Sequence, residues 1–469
     1  MLESRSRCLL SVLCTLGLAG CAMDAPDPSG ALEEQEPAGA SAEALTASPG
    51  EHLWSRRFGG ALDQLAEDVA LDPQGNLLVV GRFSGSLVLD GLVLTSAGGV
   101  DVFAVKINAG GVPLWGRRFG GAADEGATLA AVDDQGEVVI HVVGSQPVDF
   151  GGGPVETASA ALVKLDATGG HVWSRSLGAV ATALAVDGTS HVLVAGTYTE
   201  LADLGLGPMP ALGSDIFVAR LDAGGTTLSS WRFGAEGNQV ARALAADSAG
   251  NVVLAGDFNP RIFLGGEDLY ALGSRSAFLA KLDAGGFHVW SQMLPSDSWY
   301  NSSVNALAID GADNIVATGW DGGGGASGRA LSVFKVAPDG AVLWSRFYWG
   351  TPAEPGDDAV GAWPGRSIGT DAEGNVVVAT DPTGISPSSG LTIDLGGGPL
   401  PFGALLLKLD SSGNHVWSRS WARTSRPELA VAPGGRVFVG GSFTGTLDCG
   451  GWPLTSAGGF DMFLAKLAP

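Results

Sequence analysis

The residues whose types and spacing could do chemistry are a serine in a glycine frame, six histidines, a recurring set of aspartates and a surplus of tryptophans. Gly365-Arg-Ser367-Ile-Gly369 matches the G-x-S-x-G pattern of a nucleophilic serine. That chemistry needs a strand-to-helix elbow, whereas this run falls where a strand belongs. His52, His171, His288 and His415 each stand two residues before a tryptophan, on the same face of a strand as that ring. They recur along the chain, so no two should converge on a metal, and packing is their expected role. His141 and His191 lie in other strands. Asp72, Asp133, Asp187, Asp247, Asp310 and Asp371 each close an alanine-rich run before a turn, where a carboxylate accepts backbone N–H groups. Recurrence of this kind points to hairpin capping rather than acid–base catalysis. A cation recurs as well, at Lys106, Lys164, Arg220, Lys281, Lys335, Lys408 and Lys466, with a stem suited to packing and a head suited to meeting a carboxylate. Asp321-Gly-Gly-Gly-Gly325 lacks the lysine and the following helix of a phosphate loop. No catalytic residue, cofactor or metal is expected.

These residues recur because the chain does. Tryptophans 54, 115, 173, 231, 290, 344 and 417 sit at spacings of 61, 58, 58, 59, 54 and 73 residues. Between them recur an alanine-rich run such as Ala183-Leu-Ala-Val-Asp187, an Asn251-Val-Val-Leu-Ala-Gly256 run and an Asp215-Ile-Phe-Val-Ala-Arg-Leu-Asp222 run. Short Val-, Leu-, Phe- and Trp-rich runs bounded by Gly, Asp and Asn are strands with turns between them. Four such strands, seven times over, predict an all-β, seven-bladed β-propeller with four strands per blade. The alanine strand suits the crowded position beside the axis, and the tryptophan strand the periphery. Residues 51–58 begin with a tryptophan strand and 461–467 end on a third strand, so the N-terminal strand is expected to join the last blade and close the ring.

Thirteen tryptophans, less the seven that recur, leave Trp299, Trp320, Trp349, Trp363, Trp421 and Trp452. Trp299, Tyr300, Trp320, Trp349 and Trp363 fall in units with irregular connections and form the candidate binding face, accompanied by Asp297, Asp321, Glu354, Asp357 and Asp358. Aromatics grouped on a rigid scaffold favour recognition of a glycan or a protein. An enzyme would instead require a non-repeated cluster of polar groups at the mouth of the axial channel, and none is evident in the sequence.

The whole chain of 469 residues carries a formal charge of −23, which argues against a nucleic-acid partner. It is 45% hydrophobic, too apolar for disorder, and its 73 glycines count against a helical fold. Arg5 and Arg7 precede an apolar run from Cys8 to Ala19, as in a secretory signal. Leu18-Ala19-Gly20-Cys21 resembles the lipobox of bacterial lipoproteins, which implies a signal peptide at 1–20 and lipidation of Cys21. Ala22 favours an outer-membrane or cell-surface address over inner-membrane retention. Residues 21–50 are acidic and rich in Pro, Ala and Ser, the composition of a flexible tether.

The units over 51–469 resemble the SBBP-type β-propeller repeat of bacterial envelope proteins. Arg436-Val-Phe-Val-Gly-Gly-Ser-Phe443, Leu454-Thr-Ser-Ala-Gly-Gly459 and Asp461-Met-Phe-Leu-Ala-Lys466 carry the likeness most fully. The resemblance implies a fold and says little of function. The expectation is a monomeric, lipid-anchored envelope propeller acting as a binding or scaffold module for a protein or glycan. The alternatives are a quinoprotein-like oxidoreductase, a glycan-active lyase or hydrolase, or a structural spacer.

Overall fold

The computed structural model describes residues 47–158, 160–297, 301–322, 329–351, 363–381 and 390–469. The expected signal at 1–20, Cys21 and nearly all of the expected tether at 21–50 lie outside the described residues, as do Trp299 and Tyr300. Regular structure among the described residues is entirely β.

Gln64–Leu71, Leu77–Phe83, Asp101–Ile107 and Pro113–Phe119 pair in that order as one antiparallel sheet. The same order recurs in sheets that begin at Glu125, Ala181, Gly237, Asn301 and Gly365. A short parallel bridge, Gly213 to Gly237 and Ser214 to Asn238, joins the sheets that begin at Ala181 and Gly237. Thr424–Val431, Val437–Phe443 and Asp461–Leu467 form a further sheet, whose fourth strand is His52–Phe58 from the other end of the chain. First strands touch the first strands of neighbouring sheets in chain order, and Thr424–Val431 packs against Gln64–Leu71. This is β-propeller-type architecture. The core lies between sheet faces. Phe58, Val79, Phe103 and Leu87, for example, pack with Phe438, Met462 and Leu464 across the meeting of the last sheet and the first.

The recurring polar residues build the turns and staple the sheets. Asp72 Oδ1 accepts the N–H groups of Gln74 and Asn76 at 3.0 and 2.8 Å, while Oδ2 receives Lys106 Nζ at 2.7 Å. Gly75 takes φ of +78° within that turn, a conformation a side chain resists. Lys164 meets Asp133 at 3.2 Å, Lys281 meets Asp247 at 2.8 Å, Lys335 meets Asp310 at 2.9 Å and Lys408 meets Asp371 at 3.1 Å. Arg220 pairs with Asp187 in the same way. The fourth-strand tryptophan reaches the following sheet. Trp115 Nε1 donates to Ala167 O at 3.0 Å, and the ring rests on Gly169, whose φ is +79°. Trp173, Trp290 and Trp344 repeat the bond to Ala223, Pro338 and Ser411.

Two departures from the pattern are informative. In the turns of intact sheets, Asp283 N donates to Phe287 O at 2.8 Å and Gly286 N to Asp283 O at 2.8 Å. In the last sheet the same two bonds run from Ala468 N to Glu51 O at 2.8 Å and from Gly50 N to Ala468 O at 3.2 Å. Gly50, with φ of +71°, seats the Trp417 ring as Gly169 seats Trp115. One hairpin turn is thus assembled from two distant pieces of chain. The second departure is Ala432, which stands where the other units carry aspartate. Lys466 there lies over Phe438, 4.9 Å from the ring centre, and donates to Ala109 O at 2.8 Å. Burial and the neighbouring Arg436 lower its pKa. Ala432→Asp should restore the missing cap and ion pair and raise stability by about 1–2 kcal/mol, read as a higher denaturation midpoint.

Candidate functional site in the axial cavity

The first strands carry one irregularity in common. Each pairing with the second strand slips by one residue, at Ala66/Asp68, Ala127/Leu129, Ala181/Ala183, Ala241/Ala243, Val304/Ala306 and Gly365/Ser367. The residue left over is Glu67, Thr128, Thr182, Arg242, Asn305 or Arg366, each five positions before its capping aspartate. A bulge removes one residue from the ladder and re-aims its side chain. All six line a single cavity of about 490 Å³. The last sheet has a wider slip between Ser425 and Glu428, and Glu428 joins the lining. Pro364, which precedes one first strand, and Asp381, which follows its neighbour, also face the cavity.

Polar residues outside the recurring motif therefore gather in one cavity, a convergence that reading the sequence left open. Repetition masked it. The recurring alanines and aspartates defined the motif, and the variable position between them looked like noise. The detectable signal was a polar residue of changing type at a constant distance before the capping aspartate.

Neighbouring sheets hold these groups in place. Arg426 Nη1 and Arg82 Nε approach Glu67 at 2.6 and 3.2 Å. Asp68 accepts Val69 N–H on one oxygen and Ala130 N–H on the other, both at 2.8 Å. Thr182 donates to Ala241 O at 2.7 Å, and Asn305 Nδ2 donates to Gly365 O at 3.0 Å. Arg242 is paired with Asp257, which also accepts from Ser303 at 2.8 Å. His141 is completely buried behind Thr128, with Nδ1 at 2.6 Å from the threonine hydroxyl and Nε2 at 3.1 Å from Ala181 N. Burial pushes the His141 pKa down to about 4.

The acidic sector has the strongest electrostatic signature. Burial raises Glu428 to about 8, with Asp68 and Glu67 adding to it and Arg366, 2.7 Å away, opposing it. Burial also raises Asp68, against the pull of its two backbone N–H donors. Burial raises Asp381 too, while Arg366 and Arg426 oppose it. A carboxyl raised on folding favours the protonated folded state. Its contribution is therefore fullest below the ordinary carboxylate pKa and is lost as pH rises through the folded value. Stability should fall between about pH 5 and about pH 8, and Glu428→Gln should flatten that fall. Thermal unfolding of both proteins across that range checks it.

The aromatic face expected from sequence divides. Trp363 is completely buried, donates to Gly403 O at 3.2 Å and packs on Phe402. Trp320 is buried within Ile315–Gly322. Trp363 fills space between neighbouring sheets, and neither ring is an open recognition surface. Trp349 is 37% exposed and donates to Asp297 Oδ2 at 3.3 Å. Asp321 accepts from Ser296 Oγ at 3.0 Å and from Asp297 N, so Asp297 and Asp321 are brought together beside Trp349. Trp421 is buried, while Trp452 is 79% exposed on another sheet. The four repeat histidines pack on glycine hairpins, as His171 does on Gly151 and Gly152. Ser367 lies in strand Gly365–Thr370, and its hydroxyl accepts Leu429 N–H at 3.1 Å.

No protein-family model matches the chain, and no curated protein sequence matches it significantly. Solved structures do align with it. The Dos1 propeller gives a TM-score of 0.45 at 8% identity over 90% of this chain and 95% of that one. A Xanthomonas campestris gluconolactonase gives 0.32 at 13% identity over 74% and 90%. A Synechocystis apocarotenoid oxygenase variant gives 0.40 at 11% over 90% and 98%. At these values the likeness bears on neither substrate nor activity.

Proposed function

We propose that the chain is a seven-bladed β-propeller, four strands per blade, closed by its N-terminal strand, that binds a small polar ligand in the axial cavity. The circuit of first-strand contacts and the hairpin turn assembled from Gly50, Glu51 and Ala468 support the closure. The observation that carries the binding reading is the cavity itself, lined by one polar residue from each bulged strand. Polar groups pre-fixed by neighbouring sheets suit recognition, because little ordering remains to oppose binding. The lipobox-like Leu18–Cys21 run supports display from a bacterial outer membrane or cell surface, as an SBBP-type lipoprotein. Cys21→Ser should release the protein from membranes and abolish incorporation of labelled palmitate.

Crystals soaked with small polar fragments test the binding reading. Fragments should occupy the axial cavity of the parent and not of Thr182→Phe, which plugs it from a position outside the strand ladder. Fragments bound only elsewhere, or equally in the plugged variant, would refute the proposal. Glu428 and Asp68 favour a second reading, a general acid–base enzyme acting on the bound molecule. That reading requires turnover of a cavity ligand to disappear in Glu428→Gln while the ligand still binds.

A further inference from the structure

We propose that Thr128 orients the ligand, its hydroxyl anchored by His141 so that its own hydrogen is left free to donate to a small polyhydroxylated molecule of about sugar size. The inference rests on the axial cavity being the binding site. It follows from hydrogen-bond polarity. Ala181 N–H can only donate, so His141 Nε2, 3.1 Å away, must be its acceptor and carry no proton. His141 is completely buried, with no carboxylate among its hydrogen-bond partners, and is neutral. The remaining ring proton is therefore on Nδ1, which faces Thr128 Oγ1 at 2.6 Å. Thr128 accepts that proton, and its own hydroxyl hydrogen meets no protein acceptor among the described residues. Thr128 lines the cavity, so the hydrogen is directed to whatever lies there. This arrangement also excludes His141 as a general base toward Thr128, because the nitrogen facing the hydroxyl is already protonated.

The rest of the lining defines the ligand class. Thr182 spends its hydrogen on Ala241 O and offers only lone pairs. Asp68 lies beside Thr128, since its carboxylate reaches Ala130 N on the same strand, and it too accepts. Arg242 and Arg366 donate. Two guanidiniums, four carboxyls, two threonines and Asn305 thus offer donors and acceptors together around a cavity of about 490 Å³ with no aromatic residue in its wall among the described residues. A hydroxyl group both gives and takes a hydrogen bond, so a compact polyol matches such a lining at many points. A purely anionic or purely cationic ligand would leave half of it unpaired.

Two measurements test the proposal. ¹⁵N NMR of the ligand-free protein, with His141 identified by elimination against single Gln variants of the other histidines, should show Nδ1 protonated and Nε2 bare. That pattern should hold from about pH 5 to about pH 8, because burial depresses protonation of the ring. An Nε2–H tautomer, or protonation near neutrality, would overturn the proposal. The second measurement uses D-glucose as the probe, in crystal soaks and in NMR titration. A sugar oxygen should lie within hydrogen-bond distance of Thr128 Oγ1, and Thr128→Val should weaken affinity about tenfold while Thr128→Ser retains it. Glucose seated in the cavity away from Thr128, or held equally by the valine variant, defeats this inference and leaves the cavity reading intact. Exclusion of glucose from the cavity also defeats it, and the fragment soaks then decide the cavity reading separately.

Discussion

Removal of residues 51–59 should lower the unfolding free energy by about 5 kcal/mol or more, while removal of residues 22–46 should leave it unchanged. The first deletion takes away His52–Phe58, the fourth strand of the last sheet, and half of a hairpin turn. Phe58 is only 1% exposed, and losing an aromatic side chain of that burial costs about 2–3 kcal/mol. Arg57 is lost as well. It pairs at 2.7 Å with Asp461, which has no exposed surface and would keep a buried charge without its partner. With Arg57 35% exposed, breaking the pair costs less than the roughly 3–5 kcal/mol of a fully buried one. Trp54, which donates to Ala109 O at 3.3 Å, adds a staple to the first sheet that would also disappear. Residues 22–46 contain no aromatic residue, and only Met23, Leu32 and Leu45 among large apolar ones. Denaturant midpoints at unchanged slope are the measurement, and equal midpoints for the two truncations would contradict the closure.

Asp310→Ala should cost about 3–5 kcal/mol, most of which Asp310→Ala combined with Lys335→Met should restore. The carboxylate caps the turn by accepting Ala312 N and Asn314 N at 2.9 Å each, and it neutralises Lys335, which is 4% exposed. Alanine leaves the ammonium buried with one carbonyl, Gly374 O at 2.9 Å. Methionine removes the charge and keeps the packed stem. Burial alone would raise the pKa of Asp310, but its bonds to Asn314, Lys335 and the turn N–H groups outweigh burial and hold it low. Asp72, Asp187, Asp247 and Asp371 are lowered in the same way. A lowered carboxyl stabilises the fold above its unfolded pKa and stops doing so as pH falls through the folded one. Acid unfolding should therefore set in below about pH 4, and the double variant should shift it less than the single one does.

Much of this fold was legible because its chemistry repeats. Asp72 and its counterparts announced turns, and the cations two strands later announced their partners; both roles follow from residue type and spacing alone. The tryptophans of the fourth strands were legible for the same reason. Trp363 was not. A tryptophan in an irregular connection has no periodic neighbour to show which way it turns, and only the fold reveals that it tucks beneath Phe402. The axial cavity was hidden more deeply. A bulge at Thr128 or Arg242 carries no glycine or proline to mark it, and the side chains it gathers are separated by tens of residues. His141 shows the limit best. It stands outside the recurring pattern, and its tautomer is set by a neighbour, Ala181, contributed by the next sheet.

The bulges have one more consequence. A residue that has left the ladder can change size and charge without disturbing strand register or cap, provided its cross-sheet partner changes with it, as Asp257 would with Arg242. Glu67, Thr128, Thr182, Arg242, Asn305 and Arg366 are therefore interchangeable sockets on a fixed hub, each addressable by a single codon. On the proposed binding reading, rewriting them together with their partners would retune what the hub accepts while the fold stays the same.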